Sequence, residues 1–175
     1  MPECARFAAS SPERRRPALA AAALLLACAP LFAADLRPVH DPAKIAGVFP
    51  RAAKVRVLNV WAMWCVPCVA EMPDLRAVDA AFGAEVAMAG VSLDDMLPDA
   101  KSAATAAFLD KQKVAYPNIY YTGNADDLGE HLRFNGEIPV TIVYDGDGKE
   151  LWRQQGPIDR DKTIARLRET LRRMR

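Results

Sequence analysis

Two spacings of apolar residues alternate along this chain, and their alternation predicts a layered α/β domain. Val55, Val57, Leu58, Val60 and Trp61 make a nearly continuous apolar and β-branched run, as expected of a parallel strand covered on both faces. Met72, Leu75, Val78 and Phe82 then recur at helical spacing, with Gly83 as a C-cap and Pro73 placed to kink the helix. Residues 86–93 read as a second buried strand that stops at Asp94 and Asp95. Asp99 or Ser102 can cap a following helix with Ala103, Ala107, Phe108 and Val114 inward, before Tyr116-Pro117 breaks it. A short strand at 118–121, a turn at Gly123-Asn124 and a short helix at 128–134 come next. Residues 136–144 read as a strand, with Pro139 confined to its start because proline donates nothing to a ladder. Residues 145–149 are a hairpin turn and 150–155 the returning strand. Asp159 or Asp161 caps a last helix striped by Ile164, Leu167, Leu171 and Met174. The arginines at its end, Arg172, Arg173 and Arg175, match the negative end of the helix dipole and need no ligand.

The chain divides before this domain. Arg14, Arg15 and Arg16 precede an apolar stretch at 18–29, then Pro30 and the small-residue end Leu31-Phe32-Ala33-Ala34, which is the order of a secretory signal. Residues 1–34 are therefore expected to be a signal cut after Ala33 or Ala34, which directs the protein to the periplasm. An uncleaved anchor is the alternative, but the stretch is Ala-rich, interrupted by Pro30 and shorter than the ~20 apolar residues of a spanning helix. Lipidation at Cys28 is a second alternative, because Leu25-Leu26-Ala27-Cys28 resembles a bacterial lipobox apart from the large Leu26. The arginine pair fits a twin-arginine signal poorly, given Ser11-Pro12-Glu13 and Pro17 around it. Residues 35–53 carry Pro38, Pro42 and Pro50 without a period and are expected to be an irregular lead-in with at most one short strand. Residues 54–175 are the expected folded domain.

Charge and cysteine usage narrow the function. Residues 1–34 hold four arginines and two glutamates, so the remainder carries 19 basic against 20 acidic residues. A nearly neutral domain offers no electrostatic case for nucleic acid. Cys4 and Cys28 leave with the signal, and the domain keeps Cys65 and Cys68. A disulfide across a two-residue gap gains little loop-closure stabilisation, so this pair is there to react.

Cys65 falls at a strand-to-helix junction, where unpaired backbone N–H groups and the positive end of the helix dipole favour an anion. A thiolate is such an anion, so the Cys65 pKa is expected to fall. Pro67 suits the first turn of the helix, and Cys68, one turn on, lies within disulfide reach. A structural zinc site needs four ligands, and the candidates that could join the pair, His40 and His131, lack zinc-finger spacing. Both histidines read as solvated surface groups. No metal is expected, and no cofactor beyond a redox-active Cys65–Cys68 disulfide.

The particular residues point further. Trp64-Cys65-Val66-Pro67-Cys68 resembles the WCxPC signature, Glu71 and Pro73 continue its CxxCxxExP pattern, and Gly136-Glu137-Ile138-Pro139 is similar to the GxP segment that carries a cis-proline. With Asn59 where thioredoxins place a buried Asp, and an inserted helix near 99–113, the chain resembles the TlpA/ResA branch of periplasmic thioredoxin-like proteins over about residues 54–173. The resemblance implies a thioredoxin fold, α/β, with a central mixed sheet of four to five strands flanked by helices on both faces. It also implies thiol-disulfide oxidoreductase activity and a set of roles. Cys65 would be the partly exposed attacking thiol and Cys68 the shielded resolving thiol. Pro139 would face the pair behind a cis bond, leaving the Ile138 backbone free for an incoming extended peptide. Glu71 would lie beneath the pair and move protons, although a helix-surface carboxylate stays open as its plain alternative. Trp64 would pack beside Cys65 as a lid, and Val66-Pro67 would help to set the potential. Val140 and Met63 depart from the family pattern at positions expected to border the reactive surface.

The partners that follow are protein substrates with cysteine pairs and a membrane thiol-disulfide reductase as electron donor, served by a monomer. The expected direction is reductive, in cytochrome c maturation or in reduction of copper-site cysteines. A net oxidant or isomerase shares the same residues and differs in potential. A copper metallochaperone is the alternative from another class, with reduced Cys65 and Cys68 holding Cu(I) beside Met63 or Met96. A peroxidase is disfavoured because no PxxxTxxC segment is present.

Overall fold

The apolar and β-branched run at Val55–Trp61 becomes a central strand. β2 (Val55–Trp61) pairs in parallel with β3 (Val86–Ser92) on one side and antiparallel with β5 (Val140–Asp145) on the other. The computed structural model describes residues 33–50 and 53–174. The signal reading rests on residues 1–34, and apart from Ala33 and Ala34 it lies outside the described residues, as does Cys28. Among the described residues no helix is long and apolar enough to cross a membrane.

The sheet is mixed and has six strands in the order β1-β4-β3-β2-β5-β6, where β1 is Leu36–Val39, β4 is Asn118–Tyr121 and β6 is Glu150–Gln155. The strands from β1 to β2 are mutually parallel, and β5 and β6 form an antiparallel hairpin. α1 (Val66–Ala80) carries the chain from β2 to β3, and α2 (Ser102–Gln112) carries it from β3 to β4. Both crossovers step the same way along a parallel sheet, so right-handed connection puts both helices on one face. Side-chain contacts agree: Glu71 of α1 and Phe108 of α2 meet Asn59 and Trp61, which share a face of β2. α4 (Arg160–Arg173) packs against α1. On the other face, α3 (Ala125–Leu132) and a 3-10 helix at Pro42–Val48 cover Leu58.

Residues 35–53 are more ordered than their prolines suggest. Leu36–Val39 adds to β4 as an edge strand, where Pro38 costs no internal ladder bond, and Pro42–Val48 folds as the 3-10 helix capped by Asp41. The sheet therefore exceeds the expected four to five strands. The cap of α2 also differs. Its N-cap position is Lys101, without a side-chain cap, and Asp99 adopts a left-handed φ of 62° in the preceding loop. The face α2 buries is Thr105 and Leu109, with Phe108 half-buried, rather than Ala103 and Ala107. α3 begins three residues earlier than its apolar pattern shows, because the Asn124 side chain accepts from the N–H groups of Asp126 and Asp127. In α4, Leu167 and Leu171 are core residues while Met174 is exposed. α1 ends at Ala80, with Ala81 rather than Gly83 at its C-cap.

Candidate active site

The reactive turn is built by the exit of β2 into α1. The Cys65 N–H donates to the Ala62 carbonyl at 3.2 Å, and the Cys65 sulfur serves as the N-cap of α1, accepting from the Cys68 N–H at 3.3 Å. Pro67 sits in the first turn, where no N–H partner is lost. Cys65 and Cys68 are joined by a disulfide with Cα atoms 5.3 Å apart. Cys65 keeps 6 % of its surface and Cys68 none, so the exposure of Cys65 is smaller than the family pattern implies, and among the described residues it is Cys65 that opens the pair to solvent. Around it stand the exposed side chains of Trp64 (47 %) and Val66 (79 %), with Pro67 also exposed. Trp64 lines one cavity with Met96, Phe134 and Gly136, and a second with Leu97 and Lys101.

Pro139, buried just before β5, follows a cis peptide bond from Ile138. The Ile138 carbonyl oxygen lies 3.7 Å from the Cys65 sulfur. Pro139 itself is tied to the hairpin, its carbonyl accepting from Gly156 N–H at 2.9 Å. Ile138 makes no backbone hydrogen bond among the described residues. Val140 is fully buried in β5 and does not border the reactive surface, contrary to its expected position, whereas Met63 is half-buried in the turn.

Glu71 lies one turn beyond Cys68 on the inward face of α1 and is 3 % exposed, which rules out the plain surface reading. Its carboxylate accepts from the Ile158 N–H at 2.8 Å and from Asn59 Nδ2 at 3.0 Å. Burial pushes its pKa up from 4.5 to about 7, against the lowering effect of those two donors, and the nearby Asp74 charge adds to the rise. Asn59 also donates to Thr141 Oγ1 at 3.1 Å, its directly opposite neighbour in β5.

A polar row therefore crosses the sheet under α1. Thr141, Asn59, Gly90 and Asn118 are cross-strand neighbours in β5, β2, β3 and β4. Trp61 Nε1 reaches over Gly90 to donate to Asn118 Oδ1 at 3.0 Å, and a Cβ on Gly90 would meet that oxygen at 1.9 Å. The Ile158 bond joins groups 87 residues apart and has no signal in the spacing of the sequence. The contact of Asn59 with Glu71 has one sequence signal, a lone amide inside an apolar strand, because buried amides require partners.

Known proteins resemble this chain. A family model described as Redoxin matches residues 50–171. The thiol:disulfide interchange protein HelX of Rhodobacter capsulatus is 30% identical over 138 residues, which cover 77% of this chain and 71% of that protein. A thiol:disulfide interchange protein DsbE homolog of Paracoccus denitrificans is 30% identical over 119 residues, 67% of this chain and 59% of its own length. A solved structure of a thioredoxin-related protein from Neisseria meningitidis serogroup B is 28% identical, with a TM-score of 0.53 over 67% of this chain and 87% of that one.

Proposed function

This chain belongs to the Redoxin family and is a thiol-disulfide oxidoreductase of thioredoxin-like fold, and from that premise we propose that it reduces protein disulfides in the periplasm through Cys65 and Cys68. The carrying observation is the buried carboxyl of Glu71, one turn past the fully shielded Cys68, with its pKa raised to about 7. An oxidant gains its power by stabilising its reduced, thiolate form. A low-dielectric pocket holding a carboxylate works against a second anion at Cys68, which favours the disulfide and makes the dithiol a donor.

In the first step the Cys65 thiolate attacks a substrate disulfide, forming a mixed disulfide and releasing one substrate thiolate, which takes a proton. Cys68 then gives its proton to Glu71 and attacks the Cys65 sulfur. The Cys65–Cys68 disulfide forms, the second substrate sulfur leaves as a thiolate and takes a proton from solvent, and two electrons have passed to the substrate. The open N–H and C=O of Ile138 beside Cys65 suit an extended substrate segment held as an added strand. Trp64 and Val66 form the apolar border of that site. A membrane thiol-disulfide reductase would return the electrons, and apocytochrome cysteines or copper-site cysteines are the substrates this reading names.

Equilibration with glutathione tests the direction. A potential below roughly −250 mV supports a reductant, and one near ~−120 mV overturns that direction in favour of an oxidant. A Cys68→Ala protein expressed in the native periplasm should trap its substrate on Cys65, and a Cys65→Ser protein that still exchanged disulfides at the native rate would overturn the assignment of the nucleophile.

A further inference from the structure

One buried carboxylate takes no part in the chemistry above. Asp94 follows β3 and is 2 % exposed. Its Oδ1 accepts from the Met63 backbone N–H at 2.7 Å, and its Oδ2 accepts from the hydroxyls of Ser92 and Thr105 at 2.8 and 2.9 Å. The Asp94 N–H donates back to Ser92 Oγ at 3.2 Å. One side chain thus ties together three places: the end of β3, the buried face of α2, and the turn from β2 into α1.

That turn is the one that presents the reactive sulfur. Met63 stands immediately before Trp64 and two residues before Cys65, inside the turn closed by the Cys65 N–H on the Ala62 carbonyl. On its other flank the Leu93 N–H donates to the Trp61 carbonyl at 2.9 Å. Desolvating a carboxylate is costly unless its oxygens are well bonded, and an apolar residue would fill a strand end at less cost. The bonds made at Asp94 therefore matter more than its packing, and the longest-reaching of them ends at Met63.

We propose that Asp94 is a positioning residue for the disulfide exchange, holding the 62–65 turn so that Trp64 and Cys65 meet the N-terminus of α1, with Thr105 of α2 supporting it. The proposal rests on the reading of Cys65 as the attacking thiol. The Cys65 sulfur is held against the Cys68 N–H at 3.3 Å, and such a bond stabilises a thiolate only while the geometry is kept. Release of Met63 lets the turn drift, weakens that bond and misplaces Trp64.

Two neutral variants isolate the effect. Asp94→Asn keeps an oxygen for Met63 and lets the two hydroxyls turn to accept from its amide. Asp94→Ala removes all three side-chain bonds and keeps the backbone N–H bond to Ser92 Oγ. Both lose the charge, so the difference between them excludes it and reads the side-chain hydrogen bonds together with the space the amide fills. The measurement is the pH dependence of Cys65 alkylation in the reduced full chain, followed by mass spectrometry of the Cys65 peptide. The Ala protein should alkylate about tenfold more slowly than the Asn protein below the Cys65 midpoint, equivalent to a midpoint about one pH unit higher. Equal rates and midpoints in the two proteins, with only the melting temperature of the Ala protein lowered, would overturn the proposal. Should the Ala protein not fold, Thr105→Val keeps the charge and removes one support; a slower Cys65 than wild type supports the proposal and an unchanged Cys65 overturns it. Alkylation needs no disulfide partner. A wild-type protein that exchanged no disulfides would defeat the proposed function and leave this comparison readable.

Discussion

Replacing Glu71 by glutamine should make the oxidised protein more stable at neutral pH. The folded-state pKa is raised from 4.5 to about 7 by burial, so between those values the unfolded chain has released the proton while the native protein still holds it. The native state then binds more protons than the unfolded one, and stability falls as pH rises through the window. Below pH 4.5 the contribution is intact, and above about 7 its loss is complete. At about 1.4 kcal/mol for each decade of proton affinity, the whole loss comes to about 3 kcal/mol. Glu71→Gln removes the titration at little cost in bonding. The new side-chain oxygen keeps the Ile158 bond, and its amide can donate to Asn59 Oδ1, which is buried without a partner, once the Asn59 amide turns over. Urea unfolding of both oxidised proteins from about pH 4 to about pH 8 gives the assay. The difference between their stabilities cancels every other titrating group. It should move by about 3 kcal/mol in favour of the variant across the window, and a difference flat to within about 1 kcal/mol would refute the assigned burial cost.

Three further outcomes test neighbouring parts of the structure. Asn59→Leu takes one donor from Glu71, so the Glu71 midpoint should rise above about 7, as followed by carboxyl-carbon NMR; a midpoint at or below the native value contradicts the bond. Gly90→Ala would drive a methyl into Asn118 Oδ1 and Trp61 Nε1, and its cost should reach about 2–3 kcal/mol in chemical denaturation through overpacking and the lost Trp61–Asn118 bond. A variant within experimental error of wild type would show that the polar row is not close-packed there. Trp64→Ala should change stability by less than about 1 kcal/mol, because Trp64 is largely exposed, while slowing exchange with protein disulfides more than with a small aromatic disulfide. Equal slowing of both would remove Trp64 from substrate contact.

The described strands and helices correspond closely to the apolar spacing, because β2, β3 and α1 each bury a local pattern against one sheet. The departures from that spacing have local causes of another kind. β1 is four residues with a proline, too short to show a period, and it is a strand because β4 offers a free edge. α2 is rich in alanine, so which of its faces is buried cannot be read from apolarity; Thr105 turns inward because Asp94 is there to accept its hydroxyl. Met174 continues a stripe that the sheet no longer covers.

Sequence alone determined where the sulfur chemistry sits, since a strand, a turn and a proline-primed helix N-terminus are all encoded within residues 55–73. The partners of the pair were decided elsewhere. Glu71 becomes a buried acid near neutrality only because the Ile158 N–H, 87 residues away, and Asn59 from the preceding strand β2 close around it. Met63 is anchored only because β3 ends with Asp94 beside it. A pKa and a fixed turn depend on which groups desolvate and bond a given atom, and that is a property of assembled layers rather than of neighbours along the chain.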